Sequence, residues 1–212
     1  MSIKINLAEI KATLPDNVTL VAVSKTKPNK AIEEAYDAGQ REFGENRVQE
    51  LVAKAESLPK DIEWHLIGHL QKNKVKYIAP FVSLIHGVDS IETLKEINKQ
   101  GKKNNRVINC LLQAKIATEE SKFGMSFGEI ERILKGDAIK TMQNLNIVGL
   151  MGMASFTDVH EQIVEEFNSL KTFFDSTRLS TLSMGMSGDY KIAIEQGSTM
   201  VRVGSAIFGS RL

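Results

Sequence analysis

The sequence predicts an α/β protein, a single-domain (β/α)8 TIM barrel preceded by one extra helix. Three observations predict it. Apolar runs of about five residues alternate with longer amphipathic stretches, the pattern of parallel strands joined by crossover helices. Eight such runs occur, and each but the last leads into a helical pattern. The chain has 212 residues, near the lower end of this fold's usual range and enough to bury a sizeable core in one domain spanning 1–212. An open doubly wound sheet shares the alternation. No Gly-x-Gly-x-x-Gly follows the first strand, however, so its dinucleotide-binding form loses its main support.

Taken in order, residues 5–14 supply the leading helix. The first strand, 19–24, is a β-branched apolar run, and a helix over 31–38 follows the turn at Pro28. The second strand, 42–44, precedes a helix over 47–57; the third, 62–67, carries Trp64 and His65. After it, Lys72-Asn73-Lys74-Val75-Lys76 reads as a solvated helix face. The fourth strand, 84–88, leads into a helix over 90–103. The fifth, 107–115, is followed by a helix over 127–135, and the sixth, 147–151, by one over 160–176. The seventh strand, 181–184, a short helix over 190–196 and the eighth strand, 199–203, complete the set.

The 27 basic and 26 acidic residues leave a net charge of +1 with no long block of one sign, which disfavours nucleic-acid binding through a broad basic face. The single cysteine, Cys110, lies in an apolar run and reads as a small buried hydrophobe in a reducing compartment. No window approaches a membrane span, and Met1-Ser2-Ile3-Lys4-Ile5-Asn6 lacks an apolar core of signal-peptide length. A cytoplasmic protein with no membrane contact is expected. Four prolines and no Pro/Gly/Ser-rich tract leave no linker at which to divide the chain.

In such a barrel the reacting groups come from the C-terminal ends of the strands and the loops beyond them. That rule selects Lys25, Asn46, His65, His86 with Asp89, Gln113 with Lys115, Met151 with Met153, Ser183 to Asp189, and Arg202 to Ser205. The last two segments, Ser183-Met184-Gly185-Met186-Ser187-Gly188-Asp189 and Arg202-Val203-Gly204-Ser205, combine small residues with hydroxyls. Small residues let backbone N–H groups approach a ligand, and a helix beginning at Gly188-Asp189 would aim its positive end at an anion. Glycine and serine also make ordinary tight turns, but their pairing after strands seven and eight points to a phosphate. Gly185-Met186-Ser187-Gly188-Asp189 lacks the second glycine of a nucleophile elbow.

His65 and His69 are four apart, but a strand running into a glycine turn does not put them on one face. The Glu of His-Glu-x-x-His is also missing, so no metal site is expected. Arg202 shares a strand face with Met200 and Gly204. A guanidinium there needs either a barrel carboxylate or a ligand. Lys25 ends an apolar strand, where desolvation favours a neutral, nucleophilic amine of the kind that forms Schiff bases. Lys27 and Lys30 read as ordinary surface lysines.

Several segments carry a closer likeness. They are Val21-Ala22-Val23-Ser24-Lys25-Thr26, Phe43-Gly44-Glu45-Asn46-Arg47-Val48-Gln49-Glu50, Trp64-His65-Leu66-Ile67-Gly68-His69-Leu70-Gln71-Lys72-Asn73-Lys74, Ser183-Met184-Gly185-Met186-Ser187 and Val201-Arg202-Val203-Gly204-Ser205-Ala206-Ile207-Phe208-Gly209. From first strand to last they resemble the pyridoxal phosphate homeostasis proteins, also called the proline synthase co-transcribed family. The resemblance implies a barrel like the N-terminal domain of alanine racemases, with pyridoxal 5'-phosphate (PLP), the vitamin B6 cofactor, held as an internal aldimine on Lys25. It implies that Ser187, Gly188, Gly204 and Ser205 hold the phosphate, that Arg202 faces the pyridine nitrogen, and that Asn46, His65 and Met151 line the ring's pocket. Two departures stand out. Members commonly read Val-Asn-Ile where this chain has Ala114-Lys115-Ile116, and Met-x-x-Ala-Pro where it has Met151-Gly152-Met153-Ala154-Ser155. The first places a second amine near the site, and the second is expected to change loop stiffness.

PLP is the better electron sink when its pyridine nitrogen is protonated, and a permanently cationic Arg202 would keep it unprotonated. Racemases of the similar fold share that feature but add a domain bearing a second acid/base tyrosine, whereas this sequence stops nine residues past Val203. The expectation is a non-catalytic monomer that stores, buffers or delivers PLP to apo PLP-dependent enzymes. Release would use a competing amine, with Lys115, Lys72 or Lys74 as accessory candidates. Two other readings remain open: a PLP-dependent racemase of small amino acids, and a cofactor-free Schiff-base aldolase acting on a sugar phosphate.

Overall fold

A computed structural model describes residues 2–119 and 123–209. Eight parallel strands close a barrel in chain order: β1 (Thr19–Val23), β2 (Glu42–Glu45), β3 (Glu63–Leu66), β4 (Leu84–Val88), β5 (Ile108–Gln113), β6 (Leu145–Met151), β7 (Thr181–Met186) and β8 (Met200–Val203). The last strand pairs with the first, Leu20 opposite Val201 and Val21 opposite Arg202. Around the barrel stand α1 (Ile3–Ala12), α2 (Asn29–Asp37), α3 (Val48–Ser57), α4 (Val75–Ile78), α5 (Ile91–Lys103), α6 (Phe127–Lys135), α7 (Asp137–Lys140), α8 (His160–Asp175), α9 (Tyr190–Glu195) and α10 (Ser205–Phe208). No helix among the described residues is long and apolar enough to cross a membrane.

Strand alternation creates two cores. Inward-facing Val21, Leu84, Leu111, Met151 and Met200 fill the barrel, while a larger set, among them Phe43, Leu66, Leu112 and Val201, packs between the sheet and the helices. Cys110 belongs to the outer layer, where burial pushes its thiol well above the ordinary value.

The elements depart from the sequence expectation in several places. The basic stretch after β3 is a 3-10 turn (Lys72–Lys74) running into α4, because Val75 and Ile78 need burial against the core. The fifth strand stops at Gln113. Beyond it, Ala114 N–H still donates to the Met151 carbonyl of β6 at 2.8 Å, while Lys115 N–H donates to the Met125 carbonyl at 2.9 Å and Met125 N–H to the Gln113 carbonyl at 2.8 Å, so the chain turns to pair with its own return segment. The second and seventh strands run further, to Glu45 and Met186. The eighth strand is also followed by a helix, α10, which receives α1: Asn6 Nδ2 donates to the Ile207 carbonyl at 2.9 Å.

Candidate functional site

A cavity of about 600 Å³ opens at the C-terminal end of the barrel. Alternation along β1 sets its first wall: Val21 lies in the barrel core, Val23 at the cavity floor, and Lys25, two residues on, in the cavity. The same walls carry Asn46 from the loop after β2, Ser187 and Gly188 after β7, Arg202 from β8, and Gly204 and Ser205 beyond it. Seven of the nine residues singled out from the sequence thus come together around one space.

His65 and Met151 do not line it. They face inward but sit one inward step too deep, about 7 Å by strand geometry, and Ile67 and Met153, two residues further along, take the positions at the cavity. The resemblance implies a place for both in the ring's pocket, and the structure places them in the layer beneath the cavity walls. The physical reason is the period-2 layering of the barrel.

His65 belongs instead to a buried polar chain. Arg202 donates to the Ser183 hydroxyl at 2.6 Å and the Ser183 carbonyl at 2.9 Å, and to the Gly152 carbonyl at 3.0 Å. Ser183 Oγ lies 3.1 Å from His86 Nδ1, and His86 Nε2 lies 3.0 Å from His65 Nδ1. Arg202 can only donate, so the Ser183 oxygen accepts from it, and the directions of the two histidine bonds follow the tautomers of His86 and His65. Burial lowers the His65 pKa to about 4, and burial with the neighbouring His65 and Arg202 holds His86 well below its ordinary value, so both rings are neutral. Burial also lowers Arg202 to about 10, which leaves it cationic at neutral pH. Among the described residues no carboxylate pairs with it, and Asp189 acts on it only at longer range.

The loops after β7 and β8 meet at Gly204 N–H, which donates to Ser187 Oγ at 3.1 Å, leaving that hydroxyl's own proton to donate. A Cβ at Gly204 would stand 3.1 Å from the Val23 carbonyl oxygen, so glycine is what lets the loop close onto β1. At Gly188 an added Cβ would meet no atom within 4 Å, leaving open room beside the cavity. The helix expected at Gly188-Asp189 begins at Tyr190 and has six residues, while Asp189 Oδ1 accepts from Met186 N–H at 2.5 Å and shapes the turn. The anion-binding case therefore rests on the loop N–H groups and hydroxyls.

The opposite wall was not read from the sequence as a unit. It includes Ile67, His69, Gln113, Phe123, Met153 and Phe156. His69 stacks on Phe123 at 4.4 Å between ring centres, and its Nδ1 lies 3.2 Å from Asp89. His65 and His69 thus serve different neighbourhoods, and among the described residues no His/Cys/Asp/Glu group suits a metal ion. Lys27, expected at the surface, lines the cavity and donates to the Phe208 and Gly209 carbonyls at 3.0 and 3.1 Å. Its spacing of two from Lys25 was the missed signal. Lys115, Lys72 and Lys74 do not line the cavity, and the Lys74 ammonium sits over the Tyr77 ring at 5.7 Å.

Comparison with known proteins bears on the family and the fold. Residues 1–212 match the family model described as alanine racemase, N-terminal domain. A pyridoxal phosphate homeostasis protein of Vibrio alginolyticus is 42% identical over 207 residues, covering 93% of this chain and 88% of that one. The structure of PipY from Synechococcus elongatus PCC7942 without PLP superposes with a TM-score of 0.90 at 36% identity, covering 98% of this chain and 100% of that one. The same protein with PLP bound gives 0.87 at 35%, with the same coverage. An alanine racemase of Clostridium difficile 630, at 12% identity and TM-score 0.80, covers 99% of this chain and 57% of its own, and shares the fold. By sequence along its length and by the barrel it forms, this chain belongs to the pyridoxal phosphate homeostasis proteins, within the family of the alanine racemase N-terminal domain.

Proposed function

We propose that this chain holds PLP reversibly at the barrel mouth and hands it to apo-enzymes in the cytoplasm, with little or no turnover of amino acids. One observation carries the reading: a strand-end lysine, a buried arginine and two hydroxyl-bearing loops converge on one cavity. The binding of PLP by PipY, at 35% identity over 98% of this chain, supports it. When bound, PLP supplies an aldehyde that condenses reversibly with primary amines. Lys25 presents the amine. Ser187, Gly188, Gly204 and Ser205 hold the phosphate through hydroxyl and backbone donors, and Asn46 borders the ring. Arg202, held by Ser183 and Gly152, would face the pyridine nitrogen and, being cationic, would withhold a proton from it. Lys27 is the nearby amine best placed to compete with Lys25, in place of Lys115, Lys72 and Lys74.

Borohydride reduction of the protein incubated with PLP, followed by peptide mass spectrometry, tests this directly. The expected result is a pyridoxyl group on Lys25 and no visible absorbance band in Lys25→Ala. A protein that stays colourless with excess PLP overturns the proposal; racemisation of alanine or serine at ordinary enzymatic rates overturns the claim of little turnover.

A further inference from the structure

Under the Lys25 turn, between the barrel and α3, lies a buried charged cluster that the cavity does not use. Lys54, in the last turns of α3, is 6% exposed, and Glu45 at the end of β2 is fully buried. The Lys54 ammonium donates to Glu45 Oε1 and Glu50 Oε1, each at 2.7 Å, and to the Ser24 carbonyl at 2.9 Å. The Ser24 hydroxyl donates to the same Glu45 oxygen at 2.6 Å. Glu50 Oε1 also accepts the Thr26 N–H at 2.6 Å. The residues on both sides of Lys25 are therefore tied to a single ammonium.

Thr26 has φ of 64°, a left-handed conformation that threonine keeps only when its surroundings hold it. The cluster supplies that hold, and the bend it maintains is the one that carries Lys25 into the cavity. As a device for stability alone it is poorly made. Glu45 Oε2 is buried without a hydrogen-bond partner, and burial pushes that carboxyl up despite Lys54 and Ser24. Apolar side chains would fill the space at least as favourably. The contacts that are complete all face Ser24 and Thr26.

We propose that Lys54 is a positioning residue: through Ser24, Glu45, Glu50 and Thr26 it fixes the backbone on either side of Lys25 so that the Lys25 amine meets the cofactor's aldehyde carbon. The inference rests on Lys25 being the holding residue. It separates two contributions to binding, since the phosphate loops follow β7 and β8 and none of the cluster's hydrogen bonds goes to them.

The experiment compares affinity for PLP with affinity for pyridoxine 5'-phosphate, which keeps ring and phosphate but carries an alcohol in place of the aldehyde. Lys54→Met is expected to weaken PLP binding about tenfold while changing pyridoxine 5'-phosphate binding less than about twofold, well within the ~100-fold that an ångström of misplacement can cost. Lys54→Met leaves Glu45 buried without its cation, so Thr26→Gly is made beside it. That variant keeps the cluster and frees the turn, with about a threefold loss expected for PLP alone. Equal losses for both ligands, or no loss for PLP in either variant, overturns the proposal. A wild-type protein that binds both ligands equally would instead remove the role of Lys25 itself.

Discussion

Arg202 makes three hydrogen bonds to two carbonyls and a hydroxyl, all neutral. A guanidinium held so deep costs several kcal/mol unless its protons are met, and here carbonyl dipoles and the serine–histidine chain meet part of that need. Alternation had put its side chain inside the barrel; the choice between ion pair and ligand could not be read from β8, because the decisive neighbours come from β6 and β7. At the other end of the chain, His65 makes a pH prediction. Burial lowers its folded pKa to about 4 from an ordinary 6.5, so the unfolded chain takes up the proton first as pH falls. The stability held by neutral His65 is complete above about pH 6.5 and is lost progressively towards pH 4, about 2 kcal/mol of it by pH 5. Urea midpoints at pH 7 and pH 5 are expected to show this drop in the wild type and a smaller one in His65→Asn. An equal drop in both would assign the pH dependence elsewhere.

The loop after β6 is the element whose role changes most between the sequence expectation and the structure. Ser155 donates its N–H and its hydroxyl to the buried Glu166 of α8, each at 2.6 Å, and its oxygen accepts the Thr118 N–H from the loop after β5 at 3.1 Å. What looked from the sequence like a change in stiffness is a hydrogen-bonded joint between two loops and a helix. Ser155→Pro deletes both donors to Glu166. It should cost about 1–3 kcal/mol, read as a lowered urea midpoint. An unchanged midpoint would show that the carboxylate finds other donors. Joints of this sort escape a linear reading, since Thr118, Ser155 and Glu166 lie on three separate segments. The strands themselves were legible, because apolar runs between turn signals carry their own period. Their ends were not: the fifth strand stops at Gln113 because Met125, twelve residues on, takes over the pairing.

At the scale of the whole molecule, closing eight strands into one ring gathers every strand end at one mouth, so one ligand can touch segments from Lys25 to Ser205. Such a ligand stabilises the ring by mass action, about 2.7 kcal/mol at a hundred times its Kd. Thermal unfolding with saturating PLP is expected to show a higher Tm than without it, with most of the gain absent in Lys25→Ala. A gain of the same size in that variant would mean that the phosphate loops alone hold the ligand. By itself the sequence determined the alternation of strand and helix, the inward face of each strand, and the small-residue loops after β7 and β8, because these follow from local periodicity and backbone freedom. Tertiary structure decided what is two residues or many segments away. It seated His65 and Met151 a layer below the cavity, brought Lys27, His69 and Phe156 into its wall, and drew Lys54 under the Lys25 turn. Those outcomes depend on barrel register and on packing between elements far apart in the chain, which no local pattern of residues encodes.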